Sequence, residues 1–246
     1  MRFLIQKIDG DIRHDFSFTL LESIRFINWL RERNTLDKII VKFFDTTSEQ
    51  KKFFFKNCHR DYTPIGSVEF VHAFMEQFYG YSPNPINIPE ELMSYYFTKR
   101  VVKNGNHMDV EDLSGKWFAK SNDEIKKFAD FVSSSKLPPI GDYQFSTFIS
   151  IDSEWRAFIY DGKLVGLNCY SGEFTLFPNV EVIKEMIKSY KSAPIAYTLD
   201  VGVNDKDTFI IECHNFYSCG LYGFSEHNIL PSMFNKWFYN FKNNIK

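Results

Sequence analysis

Hydrophobic and polar positions alternate in blocks along this chain, and the blocks change period. Phe3 to Ile8 reads as a short strand, and between Thr19 and Glu32 the apolar residues Leu20, Ile24, Ile27 and Leu30 fall at helical spacing. Thr19 with Glu22 has the form of a capping box at the start of that helix. Ile39 to Phe44 predicts a buried strand, and Val68 to Phe78 a second helix. Strand, helix, strand, helix is the order of an α/β lobe.

The segment from Tyr79 to Pro89, YGYSPNPINIP, breaks both periods with three prolines and a glycine, so it reads as a linker. A boundary near it divides the chain into an N-terminal α/β lobe, 1–85, and a second domain, 86–246. The second begins with a predicted helix over Glu90 to Lys99 and a strand over Lys116 to Lys120. Ser121 and Glu124 then form a capping-box pattern before a helix with Ile125, Phe128 and Val132 inward.

Strands follow over Tyr143 to Ile151, Trp155 to Tyr160 and Lys163 to Cys169. Asp161-Gly162 joins the last two, and this dipeptide supplies both positive-φ positions of a type I′ hairpin turn. Glu181 to Ser192 is an amphipathic helix burying Val182, Ile183, Met186, Ile187 and Tyr190. Strands at Ala196 to Val203 and Thr208 to Cys213 precede a last helix with Pro231 in its first turn. No internal repeat or low-complexity tract interrupts this order.

Composition narrows the chemistry. The 246 residues are enough for a substantial core, and 29 basic against 31 acidic side chains leave a formal net charge of -2. That balance points away from nucleic acid and from strongly anionic membrane surfaces. The four cysteines, Cys58, Cys169, Cys213 and Cys219, make no CxxC and no zinc-ligand spacing, which suits a reducing compartment. The polar-interrupted first residues, MRFLIQKIDGDIRHDF, lack the apolar run of a signal peptide or membrane span, so a cytoplasmic location is expected. The 27 phenylalanines and 13 tyrosines are read as core filling in an AT-rich coding sequence.

The candidate chemistry lies in the second half. Asp200 ends one predicted strand and Glu212 stands near the end of the next, and the short connection GVNDKD lets the two strands pair and bring the carboxylates together. Two carboxylates so placed suit magnesium, a hard ion that takes oxygen ligands while bridging nucleotide phosphates. Lys120 closes the segment KWFAK and can extend its ammonium toward a phosphate. Glu154 and Arg156 share one strand face while Trp155 takes the other, which offers a ribose acceptor beside a fixed cation.

Taken in order, a strand with Lys, a strand, the EWR strand, the DG hairpin, a helix, and strands with Asp and Glu resemble the ATP-grasp family. SEWRAFIYDGKLVG looks like the family's ribose and phosphate strand with its hairpin, and LDVGVNDKDTFIIECHNFYSCGLYGF like its two metal-binding strands. The likeness is to the small ATP-grasp proteins common in phages and bacteria, in which a GLYG-like segment follows the metal acid. It implies a mixed α/β (α+β) fold, two lobes of sheet and helix clamping ATP, behind an N-terminal α/β lobe. Its motifs cover Glu90 to Phe224.

What the resemblance implies for the site is specific. Lys120 contacts the α and β phosphates, and an earlier cation, Lys99, Arg100 or Lys103 in FTKRVVKN, supplies a second contact, with Arg100 preferred. Gln144, Phe145, Ser146 and Thr147 belong to the hinge QFSTFI, whose backbone reads adenine. Glu154 takes the ribose, Arg156 stabilises the transferred phosphoryl group, and Asp200 and Glu212 hold Mg2+. The family's last metal element is a glutamate followed two positions later by asparagine, whereas this chain has Glu212-Cys213-His214-Asn215, so His214 or Asn215 completes the set.

The implied activity is ligation of a carboxylate to an amine or thiol through an acyl phosphate, with C-N bond formation and release of ADP and phosphate. The substrates, small molecule, peptide or protein, are left open, and so is the oligomeric state. Two alternatives stand beside it on sequence alone: a nucleotide-binding module without ligase chemistry, and a scaffold that binds a host protein.

Overall fold

The structure, a computed structural model, describes residues 1–112, 114–123, 128–205 and 207–243. In chain order it runs β1 (Arg2–Ile8), α1 (Asp15–Arg33), β2 (Ile40–Thr46), β3 (Thr63–Ile65), α2 (Val68–Tyr79), α3 (Tyr95–Thr98), β4 (Val102–Asn106), β5 (Trp117–Ser121) and β6 (Ala129–Val132). It continues with β7 (Asp142–Ser146), β8 (Ser153–Tyr160), β9 (Lys163–Gly172), α4 (Val180–Ser189), β10 (Ala196–Val203), β11 (Thr208–Asn215) and α5 (Leu230–Asn243). These form two compact units, one of residues 1–83, 194–196 and 215–246, the other of 84–193 and 197–214. Among the described residues no helix is long and apolar enough to cross a membrane.

The first unit is built on a three-stranded sheet in the order β2-β1-β3, with β1 parallel to both neighbours. Central β1 buries Phe3, Leu4 and Ile5 almost completely. β2, predicted as a buried strand, is instead an edge: Ile40 and Phe43 are 44% and 45% exposed because a strand with one neighbour has half its surroundings open. α1 begins four residues before the Thr19 capping box predicted from sequence, since Phe16 is drawn into the core and carries the helix start back to Asp15. Thr19 therefore lies inside the helix and caps nothing.

α2 does start at a side-chain cap, Ser67, whose hydroxyl accepts from the Phe70 amide at 3.2 Å. It stops at Gly80, where φ is 83°, a value glycine adopts without steric cost. Phe70, Phe74 and Phe55 meet edge to face beneath it. α5 joins the same core, with Phe234 against Phe16 and Phe216, and Phe238 against Phe74. Residues 215–246 thus group with the N-terminal unit, whereas the sequence boundary at 85/86 had set them in the second domain.

The second unit holds two four-stranded sheets, ordered β4-β7-β5-β6 and β11-β10-β8-β9. In the first sheet Trp117, Ala119, Val132, Tyr143 and Phe145 turn to one face and form its core. The helix predicted after Ser121 is corrected here: Ala129 to Val132 is β6, antiparallel to β5. Phe128 and Val132 stand four apart, a helical spacing that pairing of Ala129–Val132 with β5 overrides. Of that predicted capping box, Glu124, and the inward Ile125 lie outside the described residues. Ser121 Oγ instead accepts from the Phe128 amide at 3.3 Å. The predicted helix over Glu90 to Lys99 is also corrected, to a 3-10 turn at Glu90–Leu92 and the single turn of α3.

In the second sheet β8 and β9 form the antiparallel hairpin, and Asp161 and Gly162 at its tip have φ of 50° and 68°, as a type I′ turn requires. One face packs on α4: Trp155, Ala157 and Ile159 of β8 join Leu199 and Val201 of β10, and Ile183 and Met186 of the helix. Residues that alternate with these on β8 and β10, including Glu154, Arg156 and Asp200, turn to the opposite face. That alternation gathers polar side chains on the face away from α4.

Candidate functional site

Side chains line up across the open face of the second sheet in strand order. Glu212 comes from β11, Asp200 from β10, Arg156 and Glu154 from β8, and Tyr170 from β9. Because β10 and β8 are neighbours, Arg156 meets Asp200 as a fork: Nε donates to Oδ1 and Nη2 to Oδ2, each at 2.7 Å. The pair is buried, with side chains 8% and 2% exposed. Burial works to raise the Asp200 carboxyl, but the hydrogen bonds and charges of Arg156 and His214 outweigh it and hold it below its ordinary range.

His214 stands between the two acids, its Nε2 3.5 Å from Asp200 Oδ2 and 3.2 Å from Glu212 Oε1. Ligand atoms of Asp200, Glu212 and His214 all lie within 4.8 Å of one another. The alternation of β11 slips on the way there: Ile210 and Cys213, three apart, both enter the core. The Cys213 amide donates to the Asn87 carbonyl at 2.7 Å and fixes the strand end. Asn215, the other candidate, accepts from Trp237 Nε1 at 3.1 Å within the first unit.

Tyr170 has no signal in the sequence. The β8–β9 register steps from Trp155↔Cys169 to Glu154↔Ser171, so Tyr170 is the extra residue of a bulge. From there its hydroxyl donates to Glu154 Oε2 at 2.9 Å, and Arg156 Cζ lies 5.7 Å from the centre of its ring. Burial, then the carboxylates of Asp200 and Glu154, raise its phenol, so it stays a donor at neutral pH.

The first sheet contributes the other half. Lys120, on β5, reaches Glu212 Oε2 at 2.6 Å. The phosphate cation and the metal acid expected from the sequence therefore hold each other. Arg100 donates to the carbonyls of Ile210 at 2.8 Å and Thr98 at 3.2 Å. Among the described residues no carboxylate pairs with it, and burial alone pushes its pKa down to about 10. Lys99 is instead paired with Asp207 at 3.1 Å, and Lys103 lies over the Trp117 ring at 5.7 Å.

Arg100 and Lys120 edge a cavity of about 270 Å³. Ser146 at the end of β7 and Thr147, Phe148 and Ile149 after it form one side, and Ile88, Phe118, Phe131, Ile151 and Ile211 give it apolar walls. Gln144 also borders it, but its amide is committed: Nε2 donates to the Ile88 carbonyl at 3.0 Å and to Asn104 Oδ1 at 3.1 Å, and Oε1 accepts from the Ile88 amide at 3.1 Å. Phe145, one residue on, points away into the sheet core and is 1% exposed. Glu154 is not among the lining residues.

The family model described as ATP-grasp domain, R2K clade family 2, matches residues 97–231. No curated protein matches the chain. Among solved structures, D-alanine–D-alanine ligase from Bacillus anthracis complexed with ATP is similar over 99% of this chain and 99% of its own, at 11% identity and a TM-score of 0.53. A second structure of the D-alanine–D-alanine ligase of that organism matches over 100% of this chain and 98% of its own, at 10% identity and a TM-score of 0.52. At these identities the likeness is one of fold.

Proposed function

This chain belongs to the ATP-grasp family, R2K clade family 2, and on that premise we propose an ATP- and magnesium-dependent ligase joining a carboxylate to an amine or thiol. The observation that carries the reading is the cavity with Arg100 at its wall. A guanidinium that donates to two carbonyls, lies over the Phe209 ring and, among the described residues, pairs with no carboxylate, with burial depressing its pKa, is a cation short of an anion. A nucleotide supplies both what the apolar walls take, a flat base, and what Arg100 and Lys120 take, phosphate oxygens.

The backbone of Ser146 to Ile149 reads the base edge, while Gln144, bonded to Ile88, acts as a wall. Glu154, held by Tyr170, accepts from the ribose. Arg156, fixed by Asp200, presents its charge to the transferred phosphoryl group.

Asp200, Glu212 and His214 fit a divalent ion. Two are carboxylates, each carboxylate oxygen has lone pairs beyond those engaged, and the three side chains already converge. The imidazole replaces the amide of the family pattern, and Asn215 is engaged by Trp237. Asp200, Glu212 and His214 would hold magnesium there, and the ion would supply charge neutralisation for the phosphates. Lys120 and Glu212 neutralise one another at rest, so Lys120 turns to phosphate as Glu212 turns to metal, and the two ligands favour each other's binding.

A carboxylate is a poor electrophile. Attack of its oxygen on the γ-phosphorus expels ADP and leaves an acyl phosphate, whose carbonyl an amine or thiol attacks with loss of phosphate. The chain's part is to align the groups, spread cations over the phosphate oxygens and keep water from the intermediate. The test follows ADP with ATP, Mg2+ and pools of carboxylates and amines, peptides included, and traps acyl phosphate with hydroxylamine. ADP release that depends on a carboxylate, with hydroxamate formed, is expected. ADP formation indifferent to every carboxylate, or nucleotide bound with no turnover in any pool, overturns the ligase.

A further inference from the structure

α1 carries an apolar stripe that its own unit covers only at one edge, where the His227 ring lies 5.9 Å from that of Phe26. Its core face holds Phe16, Leu20 and Ile24. On the opposite face Phe18, Phe26 and Trp29 are 58%, 41% and 51% exposed. At 100° per residue these three fall with Glu22, Arg25 and Arg33 within roughly a quarter of the helix circumference, centred away from the core. Exposed apolar residues scattered singly need no explanation, but three large aromatics in one stripe do.

The order of residues in the stripe says what covers it. Phe26 and Trp29 stand on either side of a midpoint between residues 27 and 28, and Glu22 and Arg33 stand about 8 Å from it in opposite directions at 1.5 Å per residue. A second α1 laid antiparallel about a two-fold axis through that midpoint sets Phe26 against Trp29, and Glu22, which pairs with Arg25 at 2.6 Å within its own helix, against Arg33, twice each. Arg33 is already drawn onto the stripe, its Cζ 4.6 Å from the centre of the Trp29 ring. The stripe is its own complement in shape class and in charge, which is the requirement for an isologous contact.

We propose that α1 is the interface of a homodimer with antiparallel α1–α1 packing. The contact is of one helix with another, below the area of an obligate interface, so the dimer is reversible and concentration-dependent.

Sedimentation velocity on the full chain across a concentration series, read at low and high salt, tests it. The wild type is expected to move from monomer to dimer as concentration rises. Glu22→Arg places like charges against Arg33 at both ends and should weaken the dimer at least about tenfold, as should Arg33→Glu against Glu22. The double reversal, Glu22→Arg with Arg33→Glu, should restore it, which only a pairing of these two positions across the interface produces. Glu22 is half-buried and pairs with Arg25 within α1, so thermal melts of each variant show that it folds, and Trp29→Asp gives the apolar control. A monomer at every concentration, or a dimer indifferent to the single reversals, overturns the proposal and leaves the ATP site untouched.

Discussion

Arg100→Met separates a ligand-binding cation from a structural one. In the fold the change has two opposed effects. The carbonyls of Thr98 and Ile210 lose their donor, about 1 kcal/mol each, while the cost of keeping a cation buried without a carboxylate disappears. The two nearly cancel, so folding stability should stay within about 1 kcal/mol of the wild type and the melting temperature within about 4 °C. Binding has no such compensation. Loss of a charge-assisted bond to phosphate costs about 1.5–3 kcal/mol, a Kd raised roughly 10- to 150-fold. Calorimetric titration with a non-hydrolysable ATP analogue and Mg2+, paired with thermal melts of the free proteins, measures both. Unchanged affinity with a melting temperature down by more than about 10 °C would make Arg100 a bolt between α3 and β11 and refute its place at the phosphates.

Three other consequences follow from the same contacts. Arg156→Met strands the Asp200 carboxylate in a buried place, so it should destabilise the fold by about 3–5 kcal/mol, and Arg156→Met with Asp200→Leu should recover most of that in denaturant melts; equal losses for single and double variants exclude the buried pair. The folded pKa of Asp200 is depressed, so its stabilisation is complete above its ordinary 3.8 and is lost as pH falls through the lower folded value. Asp200→Asn should therefore flatten the acid limb of stability against pH, and an unaltered limb removes Asp200 from it. Gln144→Leu leaves the Ile88 amide and carbonyl without their partner, for a loss of about 1–3 kcal/mol by urea titration, and a neutral result means that water serves them equally well.

The parts of the fold that the sequence discloses are those where one face is buried and a turn residue is diagnostic. β8, the Asp161-Gly162 turn and β10 alternate cleanly because α4 covers one side of their sheet, and that alternation also puts Glu154, Arg156 and Asp200 on the other. β4 escapes notice because Val102–Asn106, VKNGN, is a polar edge strand with no buried face to pattern it. β6 reads as helix because Phe128 and Val132 are four apart, and pairing with β5 overrides that local signal. The fork of Arg156 on Asp200 depends on β10 lying beside β8, a long-range choice that no local pattern encodes. Tyr170 depends on a one-residue register step, and the Lys120–Glu212 pair on two different sheets approaching each other.

That last pair is where the central claim is most directly tested. Mg2+ and a non-hydrolysable ATP analogue are titrated together and singly into the wild type, Lys120→Ala and Glu212→Ala. The wild type is expected to bind the two ligands with positive coupling, and each variant to lose at least about tenfold in nucleotide affinity in the presence of Mg2+. Binding that is the same in all three proteins contradicts the assignment of the nucleotide and metal to this site.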